Sequence, residues 1–418
     1  MAGPTQFDVI IAGGGMTGAT LALGLAQGGM NVVVIEAMAL DARVAPAFDG
    51  RASAVAYANF RQWRALGVAD ALAPDAQPIR SIVVTDGPAP GAASPAPHPG
   101  FLRFEADEIE GRGEDEPLGW MVENRHARAA LAAALEKAGV AVLAPAAVVA
   151  VEPGPRHAVV RLADGRALAA PLVVGAEGRA SAVRESAGIG TAGWAYRQSG
   201  LVATVALERP HEGCAWQHFM PSGPLAVLPL TDDRASLVWT EAPASARALA
   251  EGSPEAFEAH LARRFGEALG RPRLAGPRFV HPLSLSLAHS MTAPRVALAG
   301  DAAHAVHPLA GQGLNMGLKD AAALAETVVE AARLGEDWGS SAVLDRYARW
   351  RRFDSVGLAA ATDAFSRFFS HGDPLSRAVR GAGLSLVNRT GPARRFFMRE
   401  AGGATGELPR LLRGESLA

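Results

Sequence analysis

The chain opens on a short apolar run, Phe7 to Ala12, followed by a glycine turn and an Ala- and Leu-rich stretch from Met16 to Gln27. An apolar run without alternation predicts a parallel strand covered on both faces. The longer stretch predicts a helix, stopped by Gly28 and Gly29 as C-terminal glycines do. Asn31 to Glu36 is a second apolar run and completes a βαβ unit. Ile79 to Thr85 and Phe101 to Phe104 predict strands around a Pro-, Ala- and Gly-rich loop from Pro88 to Gly100. Asn124 to Ala138 predicts a helix, Ala141 to Arg161 intermittent strand, and Leu172 to Gly175 another buried strand. From Gly200 to Thr240 the pattern becomes a series of strands with turns at Pro221-Ser222-Gly223 and Thr231-Asp232-Asp233, an expected antiparallel sheet. Arg295 to Ala299 returns to buried strand. A Gly-rich loop and a helix to about Leu334 follow, and the remainder from Ser341 reads as helical.

Composition narrows the class. The 418 residues are 49% hydrophobic and 20% charged, the balance of a soluble protein with two joined domains. A net charge of -2 gives no basic stripe for nucleic acid. Cys214 is the sole cysteine, which excludes an internal disulfide and a multi-cysteine metal site. The longest apolar candidate for a membrane span, Ala129 to Val151, is interrupted by Glu136, Lys137 and Pro145. A strand beginning by Phe7 leaves no room for a secretory signal. The expectation is a cytoplasmic protein, with peripheral contact to the inner face of a membrane left open.

Two motifs carry chemistry. Gly13-Gly14-Gly15-Met16-Thr17-Gly18 has the dinucleotide spacing between a predicted strand and a predicted helix. There Gly13 permits the tight turn, Gly15 lets backbone approach a pyrophosphate, and Gly18 allows helix and strand to pack closely. Met16 and Thr17 begin the helix, whose N-terminus offers free N–H groups to phosphates. Glu36 ends the second strand, where a carboxylate accepts from ribose hydroxyls and disfavours a 2′-phosphate. This motif alone leaves NAD and FAD open. Far downstream, Ala299-Gly300-Asp301-Ala302-Ala303-His304 follows a buried strand, and His307 to Asp320 runs through a glycine-rich loop into a helix. A carboxylate at Asp301 suits the hydroxyls of a ribityl chain. A helix N-terminus at Gly313 to Asn315 suits the flavin N1–C2=O edge, where negative charge develops on reduction.

His307-Pro308-Leu309-Ala310-Gly311-Gln312-Gly313-Leu314-Asn315-Met316-Gly317-Leu318-Lys319-Asp320 resembles the hallmark of the ubiquinone-biosynthesis hydroxylases. These belong to the single-component, FAD-dependent aromatic hydroxylases, the class A flavoprotein monooxygenases. The resemblance implies an α/β fold: a Rossmann-like FAD-binding domain, an inserted mixed or antiparallel β-sheet substrate domain and C-terminal helices. The expected FAD-binding domain is residues 1–78, 107–180 and 290–340. The substrate domain is 79–106 with 181–289, and the C-terminal region is 341–418. The resemblance also assigns roles. Gly13, Gly15, Gly18 and Glu36 would hold the ADP half of FAD. Arg51, with Ala52 and Ser53, would reach the pyrophosphate, a bidentate task suited to guanidinium. Asn124 would lie near the ribityl chain and Asp301 on the ribityl or pyrophosphate. Gly311, Gln312 and Gly313 would form the flavin loop, Leu314 and Asn315 would donate backbone N–H groups to flavin O2, and the carbonyl of Pro308 would face the substrate hydroxyl.

One position departs from the family pattern. The chain reads Gly175-Ala176-Glu177-Gly178, where the family carries Asp at the place of Glu177, in a stretch tied to FAD and nicotinamide contact. The implied chemistry is ring hydroxylation with bound FAD, transient NAD(P)H and O2. The implied substrate is a polyprenyl phenol of ubiquinone biosynthesis, with quinone-biosynthesis subunits and a membrane surface as possible partners. Six arginines between Pro374 and Arg399, mixed with apolar residues, would suit anionic lipid headgroups. His304 and His218 are the candidates for a general base. His304 and His307, three residues apart, have no third ligand in sight, so no metal is expected. Without Gly-x-Ser-x-Gly, serine hydrolase chemistry has no support. Two alternatives stay open: a hydroxylase of a small soluble phenol such as a hydroxybenzoate, which needs a carboxylate-binding arginine, and a catalytically silent FAD-binding subunit.

Overall fold

The computed structural model of this chain describes residues 5–45, 50–86, 101–108, 116–220, 223–265, 269–306, 312–352, 357, 398–399 and 402–418. The loop Pro88 to Gly100, the segment His307 to Gly311, and most of the basic stretch Pro374 to Arg399 lie outside the described residues.

Five parallel strands form the first sheet, in the order Val296–Leu298, Leu172–Gly175, Val9–Ala12, Val32–Ile35 and Ala141–Leu143. Thr292–Ala293 adds an antiparallel edge. These runs are apolar at successive positions because both faces are covered. Val9, Ile11, Val32 and Val34 join the core made with the helices Met16–Gln27 and Gln312–Arg333. Their neighbours Ile10, Ala12, Val33 and Ile35 pack with Val151, Val160 and Leu162 of a four-stranded sheet. The two helices approach closely because small residues meet there: a Cβ on Gly24 would lie 3.1 Å from that of Ala325.

An eight-stranded sheet follows the order His304–Ala305, Arg273–Ala288, Thr191–Ala206, Arg234–Glu241, Leu225–Leu230, Cys214–Phe219, Ser81–Asp86 and Phe101–Glu105. Cys214–Phe219 and Ser81–Asp86 run parallel, so the sheet is mixed, not antiparallel throughout. The run expected as one strand from Ile79 divides at Arg80. Ala76–Ile79 pairs with Gly119–Glu123 in a three-stranded sheet, and Ser81–Asp86 crosses to the larger one.

Alternation sets the two faces of the large sheet. Leu201, Ala203, Val227, Leu237 and Trp239 point to one side, where they are buried with Phe257 and Leu261. That side is covered by two helices that the sequence pattern did not reveal, Pro243–Glu251 and Pro254–Phe265. The intervening Gly200, Val202, Ala226, Leu228 and Val238 face the nucleotide-binding half of the protein. Val202 and Ala226 both lie opposite Val238 in register, so a continuous aliphatic surface spans three strands.

Trp239 anchors the covered face at 1% exposure, its ring 6.2 Å from that of Phe257 and its indole N–H donated to Glu241 Oε1 at 3.1 Å. Trp239→Ala removes this filling and is expected to cost about 3–5 kcal/mol. Urea unfolding of the variant checks this, with a midpoint unchanged from wild type as the opposing result.

Candidate active site

The turn after Val9–Ala12 shows why glycine is required. Gly13 sits at φ 98°, and a Cβ on Gly18 would collide with the Gly13 carbonyl oxygen. The backbone therefore closes tightly onto the start of the Met16–Gln27 helix. Glu36, 8% exposed, accepts N–H groups from Gly14 at 2.9 Å and Met38 at 3.0 Å. Its carboxylate thus lies directly against the glycine turn.

From this turn a cleft of about 520 Å³ runs between the nucleotide fold and the large sheet. Gly15, Met16 and Thr17 line one end, and Arg51, Ala52, Ser53 and Asn124 line the wall beside them. Ser53 Oγ donates to Asn124 Oδ1 at 2.7 Å, and the Asn124 N–H donates to the Arg51 carbonyl at 2.9 Å. Two stretches more than seventy residues apart are thereby joined at the cleft. Asp301 lines it too, with Gly313 and Leu314 from the first turn of the Gln312–Arg333 helix. N–H groups in such a first turn have no acceptor inside the helix and a partial positive charge.

Three further candidates, Gln312, Asn315 and Glu177, do not line the cleft. Gln312 opens the helix, while Pro308 and Gly311 lie outside the described residues. Asn315 turns its side chain inward. Its Oδ1 accepts from Ala56 N at 3.0 Å and Asn59 Nδ2 at 2.8 Å, and its Nδ2 donates to the Ala54 carbonyl at 2.8 Å. It staples the helix start to the strand Ala52–Ala56. Glu177 also turns inward, where Oε1 accepts the Val183 N–H at 2.9 Å at the head of Ala182–Ser186. Burial pushes its carboxyl above the ordinary value, against the lowering effect of that bond. The methylene by which Glu exceeds Asp is therefore absorbed in the interior.

Both histidines marked as base candidates are engaged elsewhere. His218 is 2% exposed, its Nδ1 lies 2.8 Å from Thr85 Oγ1, and burial lowers its pKa to about 4. His304, also 2% exposed, holds Asp320 Oδ2 through Nε2 at 2.6 Å. Asp320 is fully buried and further accepts the Gly300 N–H at 2.9 Å and Arg351 Nε at 2.8 Å. Asp320 was visible only as a motif position, and its partner Arg351 carried no sequence signal.

The structure adds residues that the sequence did not single out. Arg128 follows Asn124 by one helical turn and lines the cleft, a spacing that the helix pattern contained. Arg179 lines it as well. Its Nη1 donates to Ser284 Oγ at 3.1 Å, and its Nε lies 3.7 Å from Asp301 Oδ2. His281, Pro282 and Leu283 come from the strand Arg273–Ala288. Three guanidinium groups and a helix N-terminus suit a diphosphate and an electron-accepting ring edge. The glycine turn, filled by any Cβ, suits close approach of a dinucleotide. The residues present fit FAD.

A family model described as an FAD binding domain matches residues 6–358. The chain belongs to that family. Among its relatives is the ubiquinone hydroxylase UbiL of Rhodospirillum rubrum, 44% identical over 98% of this chain and 93% of that protein. The 3-demethoxyubiquinol 3-hydroxylase of Escherichia coli K12 is 37% identical over 94% of this chain and 98% of its own length. In fold, the chain is similar to p-nitrophenol 4-monooxygenase PnpA from Pseudomonas putida DLL-E4. The TM-score is 0.77 at 21% identity, over 96% of this chain and 99% of that one. This FAD-binding protein is a flavoprotein monooxygenase that uses NAD(P)H as co-substrate.

The Asp320 cluster gives this monooxygenase a defined pH response. For His304, burial favours the neutral form, but the charge and hydrogen bond of Asp320 together outweigh it and raise the pKa above the ordinary 6.5. Its stabilisation is complete below pH 6.5 and lost as pH rises through the raised value. For Asp320, burial opposes ionisation, and His304 and Arg351 together hold the carboxyl below its ordinary 3.8. That stabilisation is complete above pH 3.8 and lost as pH falls through the depressed value. Asp320→Asn removes the carboxylate that faces the buried Arg351 guanidinium and returns His304 to the neutral form that burial favours, and is expected to cost about 3–5 kcal/mol. Thermal unfolding across pH checks it. Expected are a lower midpoint and a weakened alkaline decline; a variant profile that overlays wild type contradicts the assignment.

Proposed function

We propose that this monooxygenase hydroxylates the ring of a polyprenyl phenol in ubiquinone biosynthesis. The observation that carries the reading is the division of the cleft into two unlike walls. Arg51, Arg128, Arg179 and Asp301 lie on the nucleotide side, whereas Val202, Ala226, Leu228, Val238 and Leu283 form the sheet side. An uncharged, apolar-substituted ring suits the second wall, since burying each CH₂ there contributes about 0.8 kcal/mol. A hydroxybenzoate requires a cation on that wall, and the described residues there offer only His281 as an ionisable group. The names of the relatives support the same substrate class.

In this reading Gly13, Gly15, Met16, Thr17, Gly18 and Glu36 hold the ADP half of FAD. Arg51 and Arg128 neutralise the pyrophosphate, Ala52, Ser53 and Asn124 flank the ribityl chain, and Asp301 accepts from its hydroxyls. The Leu314 and Asn315 N–H groups meet the flavin O2 edge, where the helix N-terminus stabilises the charge that reduction places there. Bound FAD supplies the reductive activation of dioxygen. The chain's own part is to orient the ring and keep water from the apolar wall. Glu177, bonded to Val183, acts on this chemistry only by shaping the loop that carries Arg179.

A polyprenyl tail partitions into a bilayer, so the protein meets its substrate at the membrane surface. Among the described residues, no helix is long and apolar enough to cross a membrane. The test is a mass-spectrometric profile of quinone intermediates in lipid extracts of a strain lacking the gene. The expected result is accumulation of a prenylated phenol short of one hydroxyl, which also identifies the ring position. An unchanged profile, in a strain without a compensating paralogue, contradicts the reading.

A further inference from the structure

His281 occupies a position that neither His218 nor His304 can fill. It lies opposite Gly200 in register and lines the cleft on the sheet side. Its neighbour Val280 packs against the helix-covered core, so alternation sends His281 the other way, into the cleft. Phe279, on the same face of the strand, abuts Gly50 next to Arg51, which fixes that face against the nucleotide side. Gly200 adds no side chain to the wall beside the imidazole, where a Cβ would already meet Leu283 Cδ2 at 3.4 Å. The charged groups that share the cleft with His281 are Asp301, Arg179, Arg51 and Arg128, all on the facing wall.

We propose that His281 is the catalytic residue that accepts the proton of the phenol hydroxyl. The inference rests on reading the cleft as a phenol hydroxylase site. A phenol ionises near pH 10 in water, so at neutral pH its ring lacks the electron density that attack on an electrophilic oxygen needs. In the step proposed, the phenol O–H bond breaks and an N–H bond forms on the imidazole. The electron pair stays on the phenolic oxygen and is delocalised to the ring carbon that receives the new oxygen. After hydroxylation the proton returns to the phenolic oxygen, so His281 is regenerated. Of the charged groups on the facing wall, Asp301 favours the imidazolium formed in this step, and Arg179, which is not assigned to the pyrophosphate, favours the phenolate.

The test compares FAD-loaded wild type with His281→Gln and His281→Asn, which keep a polar side chain but take no proton. The binding probe is 4-nitrophenol, whose phenolate absorbs visible light, read as a difference spectrum across pH. The catalytic probe is 2-prenylphenol, read as hydroxylated product by mass spectrometry. The expected result is that the bound probe ionises about one pH unit lower in wild type than in either variant. Product formation is expected to fall about 10²-fold or more in the variants, with FAD retention and the KM for NAD(P)H unchanged. Identical probe titrations in wild type and both variants overturn the role of His281 alone. Failure of wild type to bind either phenol overturns both this role and the phenol-hydroxylase reading.

Discussion

The carboxylate of Asp320, fully buried in the Gln312–Arg333 helix, joins three parts of the molecule at one point. Through Gly300 N it holds the turn that presents Asp301 to the cleft. Through His304 it holds the edge strand His304–Ala305 of the large sheet, which pairs with Leu287 and Ser286. Through Arg351 it holds the helical residues 341–352 that follow the nucleotide fold. A buried carboxylate is costly unless its lone pairs are filled by well-placed donors. Here they are filled by two cationic groups and a backbone N–H, so the cost of burial becomes a demand for one geometry. The turn that carries Asp301 and an edge strand of the large sheet are thus both tied to this one group.

The large sheet does the complementary work. A single alternation runs through Thr191–Ala206, Arg234–Glu241 and Leu225–Leu230. It sends one set of side chains under two helices and the other into the cleft. The helix-covered face is filled with large groups such as Trp239 and Phe257, whereas the cleft face carries Gly200, Val202, Ala226 and Val238. Small residues on the second face are what leave room for a ligand ring. The same sheet therefore contributes rigidity on one side and shape on the other.

Much of this was legible in the chain because local chemistry forces it. Gly13 and Gly18 are what a backbone needs to turn this tightly onto a helix start, Glu36 closes against that turn, and the βαβ unit around them is dictated by uninterrupted apolar runs. The cleft wall of Arg51, Ser53 and Asn124 was legible only through family likeness, since their union depends on strand pairing across some seventy residues. Arg128 was within reach of a helical-spacing argument. His281 was not, because its alternation means nothing until the register with Gly200 is known. The break at Arg80 and the two helices over the sheet were also hidden. One short apolar run serves two sheets there, and amphipathic helices of about ten residues give a weak periodic signal. Glu177, where the chain departs from the family pattern, accepts the Val183 N–H through Oε1, a partner that the sequence did not disclose, between the cleft-lining Ala176 and Gly178.

In the function proposed, the cleft presents a prenylated phenol ring to reduced flavin and oxygen with water excluded. Turnover of FAD-loaded protein with NAD(P)H and 2-prenylphenol under ¹⁸O₂ tests it most directly. One ¹⁸O atom is expected in the hydroxylated product, formed in near equivalence to the NAD(P)H consumed. Product oxygen derived from water, or NAD(P)H oxidation that ends in hydrogen peroxide with no hydroxylated ring, would contradict it.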